Sequence, residues 1–125
     1  MTITPPSRDS DVPLSVPDWD PQVIVNLLGN NQARNQRLLA KFLATAEDTV
    51  AGMRKALDAS DMTELTRLTH GLKSSARSVG AMALGEQCAA LEVAGRALDH
   101  ARCAALVSDV AERFGVVKLL VQAHL

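Results

Sequence analysis

Residues His70 to Gly80 read HGLKSSARSVG. An imidazole at His70, a lysine three residues later and small side chains around them place a nucleophilic nitrogen beside a cation. If the segment is helical, residues advance about 100° each, and Leu65, Leu68, Leu72, Ala76 and Val79 align as one apolar stripe. His70 then falls roughly 170° from the centre of that stripe, among Arg67, Lys73, Ser74 and Arg77. The histidine faces outward. Three basic residues and no acidic one lie between Leu65 and Gly85, in a chain whose net charge is only −1. The histidine's own helix therefore presents an anion-attracting surface.

The elements that position this segment follow from capping signals and apolar spacing. Asp20 and Pro21 suit the start of a short helix through Val23, Ile24, Leu27 and Leu28 that stops at Gly29. Asn30 or Asn31 caps a longer helix carrying Leu39, Phe42, Ala46, Met53 and Leu57 as far as about Ala59. Asp61 and Glu64 have the spacing of a capping box for the histidine-bearing helix, and Gly80 suits its left-handed end. A fourth helix carries Leu84, Cys88, Leu91 and Leu98. Asp99 caps a fifth with Val107, Val110, Phe114, Val117 and Val121. The expected fold is all-α: an antiparallel four-helix bundle with a short additional N-terminal helix.

All five prolines lie within the first 21 residues. Residues 1–17 show no periodic apolar face and read as a flexible tail or linker, leaving 18–125 for the bundle. Leucine and alanine dominate while aromatics make up 2%, a balance that favours helix over sheet. It also excludes the basic, stacking surface of a nucleic-acid binder. No apolar run reaches a membrane-spanning length, and the start lacks the pattern of a signal peptide, so a cytoplasmic chain is expected. Cys88 and Cys103 are expected as buried free thiols. His100 and His124 have no partner spacing for a metal site, so none is expected. The glycine-rich phosphate loop of an ATP-binding protein is absent. A hydrolase built from His70 with Ser74 or Ser75 would lack a pocket and an oxyanion hole.

The run from His70 through Lys73, Gly80 and Ala81, followed by Leu84, Cys88 and Leu91-Glu92, resembles the histidine phosphotransfer (HPt) domains of bacterial phosphorelays. It is most similar to those ending hybrid sensor histidine kinases, and the likeness covers about residues 18 to 122. The resemblance implies that His70 takes a phosphoryl group from an aspartyl phosphate on a response-regulator receiver domain and passes it to another receiver. Lys73 would stabilise the phosphoryl oxygens. Glu92 matches a position from which the neighbouring helix can orient the imidazole. Ser74 stands where the family usually has glycine, and its hydroxyl could contact the phosphate.

Arg67, Gly71, Arg77 and Ser78 are candidate partner contacts, while Gly80, Leu84, Cys88 and Leu91 are structural. The chain itself would be a carrier without an ATP site or cofactor, and Mg²⁺ would belong to the receiver. A monomer is expected, so that the histidine face stays open. Met1 favours a free-standing chain, whereas the acidic, proline-containing tail looks like an interdomain linker; the resemblance tips the expectation toward a domain of a larger kinase. The alternative function is a helical docking domain that binds receivers or other signalling proteins without phosphate chemistry.

Overall fold

The computed structural model describes residues 16–125. Five helices follow in order: α1 (Gln22–Leu28), α2 (Gln32–Asp58), α3 (Met62–Val79), α4 (Met82–Arg96) and α5 (His100–His124). There is no strand among the described residues. Asn31, Asp61 and Asp99 each accept a hydrogen bond from the backbone N–H three residues on, capping α2, α3 and α5. The capping box at Asp61 is only half made, because Glu64 turns its carboxylate to Arg67 at 2.7 Å instead of back to the cap.

One turn geometry joins the four long helices. Ser60, Gly80 and Leu98 all have positive φ, at 54°, 93° and 57°. In each turn the next residue's N–H reaches back to the helix: Asp61 to Ala56 O, Ala81 to Ala76 O and Asp99 to Ala94 O, at 2.8 to 3.0 Å. These are Schellman turns, which satisfy the last carbonyls of a helix and reverse the chain at once. This geometry corrects one sequence expectation. By spacing Leu98 belongs to the core stripe of α4, but α4 ends at Arg96 and Leu98 stands in the turn, 71% exposed.

Each long helix packs on the next, and α5 closes the ring on α2, while α1 leans on α3. The centre is filled by Met53, Leu65, Leu72, Leu84, Leu91, Val110 and Val117, all essentially buried. Phe42 of α2 meets Phe114 of α5 edge-on, with ring centroids 6.4 Å apart. Gly95 allows α3 and α4 to approach closely, since a Cβ there would lie 2.4 Å from Thr66 Oγ1.

A strap of residues 17–20 crosses the α3–α4 turn. Trp19 Nε1 donates to Val79 O and Asp20 N to Gly80 O, both at 2.9 Å, capping the end of α3. Ala83 N donates to Pro17 O at 3.0 Å. That carbonyl serves the start of α4, whose cap residue Ala81 has no side-chain acceptor. Asp18 pairs with Arg113, and Trp19 meets the His124 ring edge-on, so the strap also holds α5. Of the tail read as 1–17, residues 1–15 lie outside the described residues, and Pro17 is already part of the bundle.

Candidate functional site

His70 lies in the middle of α3, on the face opposite Leu65, Leu72 and Ala76, and its side chain is 59% exposed. Behind it stands Glu92 of α4, a carboxylate only 2% exposed. Glu92 reaches this place because Leu84, Cys88 and Leu91 bury the neighbouring stripe of α4 against the core and turn position 92 toward α3. Its Oε2 lies 2.9 Å from His70 Nδ1, and its Oε1 accepts from Lys73 Nζ at 2.6 Å. Arg96, one turn further along α4, donates from Nη2 to the same Oε2 at 2.5 Å.

A buried carboxylate with three donors is satisfied, whereas one with none would be strongly destabilising. The Lys73 hydrogen bond, chief among several influences, holds the Glu92 carboxyl below its ordinary range, against the opposing effect of burial; His70 and Arg96 act in the same direction as Lys73. Glu92 is therefore ionised at neutral pH and can only accept hydrogen bonds. The proton of a neutral His70 must then sit on Nδ1, which leaves the lone pair on Nε2 directed outward.

The surface around His70 differs from the cationic patch expected of α3 alone. Lys73 is tied to Glu92, and Arg67 is held by Glu64 of its own helix. Glu92 comes from the adjacent helix and Glu64 lies one residue before the counted stretch, so counting from Leu65 to Gly85 registers neither. Arg77 drapes its aliphatic stem across α4 at Gly85. Ser74 is exposed on the His70 side, and Ser78 Oγ donates to its carbonyl at 2.9 Å. Gly71 is exposed and faces open space.

Ser75 and Ser78 form one wall of an apolar groove of about 570 Å³, completed by Leu27, Leu28, Leu38, Phe42 and Val79. Cys88 and Cys103 are buried free thiols, and burial pushes the Cys88 thiol up to about 12. No group of three metal-ligating side chains exists among the described residues.

Arg96 is the member of the site that the sequence reading above does not single out. The signal is available in the four-residue step from Glu92 to Arg96 on one helix face.

A closed four-helix bundle that presents a mid-helix histidine outward, fixed from behind by a buried acid on the next helix, defines the class of this protein. The chain belongs to the Hpt domain family, whose sequence model matches residues 37–123. It is similar to the phosphorelay intermediate protein YPD1 of Saccharomyces cerevisiae, at 27% identity over 93 residues. That match covers 73% of this chain and 56% of YPD1, so the chain spans just over half the length of this relative. The fold is similar to that of histidine-containing phosphotransfer protein B from Pseudomonas aeruginosa PAO1, with a TM-score of 0.81 and 26% identity. That similarity covers 88% of this chain and 96% of the other.

Proposed function

We propose that this chain is a phosphoryl carrier of a multistep two-component relay, accepting a phosphoryl group on His70 Nε2 from an aspartyl phosphate and delivering it to a second receiver. The observation that carries this reading is the Nδ1 contact with buried Glu92, which presents Nε2 as the attacking atom. Membership of the Hpt domain family and the similarity to a phosphorelay intermediate support it.

Lys73 sits one turn from His70, where it can share its charge between Glu92 and incoming phosphoryl oxygens. The Ser74 hydroxyl is on the same face. The chain brings the nucleophile, while the aspartate and its Mg²⁺ belong to the receiver; no ATP chemistry is assigned to it. Receivers dock over Gly71, Ser74 and Ser78 and extend onto the apolar groove at Leu27, Leu28 and Leu38. Arg67 and Arg77 lie at the margins of that surface. The carrier works as a cytoplasmic monomer, alone or as one domain of a hybrid sensor kinase. Among the described residues no helix is long and apolar enough to cross a membrane.

The test is transfer from a phosphorylated receiver to the purified chain, with His70→Gln alongside. Acid-labile label on the wild type and none on the variant is the expected result. Receivers that bind tightly yet leave no label would make the chain a docking domain and end the carrier reading.

A further inference from the structure

Glu92 Oε2 serves two donors at once, His70 Nδ1 and Arg96 Nη2, while Oε1 serves Lys73. One negative charge is thus divided between two permanent cations and an imidazole. Resting on the reading that His70 carries a phosphoryl group, we infer that Glu92 sets the lifetime of the loaded state by keeping Nδ1 protonated, and that Arg96 limits how strongly it does so. Both act through the imidazole and are positioning residues.

In loading, the Nε2 lone pair forms the N–P bond while the O–P bond of the aspartyl phosphate breaks and its electron pair returns to the carboxylate. The ring then carries a proton on Nδ1 and the phosphoryl group on Nε2. In release to a receiver aspartate or to water, the N–P electron pair returns to Nε2. If Nδ1 has kept its proton the leaving group is neutral imidazole, and if not it is imidazolate, a far poorer one. An ionised acceptor 2.9 Å from Nδ1 favours the first path.

Arg96 competes for that acceptor. Its side chain is 66% exposed, so it holds Oε2 from the solvent side and draws charge away from the ring. The charged groups facing the imidazole are Lys73 from α3, and Glu92 and Arg96 from α4. Arg67 is engaged by Glu64. Removing the carboxylate charge and removing its competitor should therefore move the lifetime in opposite directions, a pattern that general loosening of the fold does not produce.

The experiment loads the full chain, Glu92→Gln and Arg96→Gln with phosphoramidate, a small phosphoryl donor that needs no docking. After the donor is removed, loss of phosphohistidine is followed by ³¹P NMR across pH, with circular dichroism reporting the fold. Glu92→Gln is expected to hold its label about tenfold longer near neutrality, the effect of weakening one charge-assisted hydrogen bond to the leaving group. Its hydrolysis profile should move to lower pH. Arg96→Gln is expected to lose label faster, with its profile moved to higher pH. Should Glu92→Gln fail to fold, the shortening in Arg96→Gln carries the test alone. Superimposable profiles, or two variants shifted the same way, would overturn the inference while leaving the carrier reading intact. Absence of label at His70 in the wild type would overturn both.

Discussion

At the scale of single residues, the site rests on a carboxylate that is both buried and shared. Because the folded Glu92 carboxyl lies below its ordinary value of 4.5, its interactions stabilise the fold above that pH and are lost as pH falls through the folded value. The urea midpoint of the wild type should exceed that of Glu92→Gln at pH 7 by the equivalent of about 1.5–3 kcal/mol, the range for hydrogen bonds to charged groups. The gap should close below pH 4.5. The thiols give a second expectation. With burial raising Cys88 to about 12, a thiol reagent should leave both cysteines unmodified in the native chain and titrate both in denaturant. His70 and Lys73 were legible in the sequence because a helical wheel fixes directions within one helix. The burial of Glu92 was not, because it depends on the rotation at which α4 docks against α3, which no single-helix pattern encodes, whereas the pairing of Arg96 with Glu92 lies in their four-residue step.

At the scale of elements, the turns separate what capping signals reveal from what they hide. Asn31, Asp61, Gly80 and Asp99 stand where the sequence places them. Leu98 does not, because its seven-residue step from Leu91 imitates a core position while its backbone is left-handed. Leu98→Gly should therefore raise the unfolding free energy by about 1 kcal/mol, the left-handed penalty less the entropy glycine brings to the unfolded chain. Gly80→Ala should do the opposite and by more. It would force a Cβ to within 2.0 Å of Asp20 O as well as into a left-handed conformation, and thermal denaturation would register the loss. The groove between α1, α2 and α3 offers a functional contrast. Leu27 is 63% exposed, so Leu27→Glu should shift stability by no more than about 0.5 kcal/mol. Labelling of His70 by a receiver should slow in that variant if the groove takes part in docking, and stopped-flow transfer against the wild type measures it.

At the scale of the whole molecule, the bundle was readable because four apolar periodicities of helical spacing and three short connections leave few ways to pack. The strap at residues 17–20 was not readable as a strap. Its bonds run from Trp19 to Val79 and from Pro17 to Ala83, and local sequence holds no trace of such distant partners. Trp19→Ala should cost about 2–3 kcal/mol for the lost half-buried ring and its hydrogen bond, seen as a lowered melting temperature, while His70 remains open to labelling. The strap also has a mechanical meaning. It grips the turn between the helix that carries the nucleophile and the helix that carries its buried acid, so tension applied upstream of Pro17 is delivered first to that turn. The bonds at Pro17, Trp19 and Asp20, with the Asp18–Arg113 pair on α5, take up that load together, and the reactive pair lies on the two helices that the turn joins.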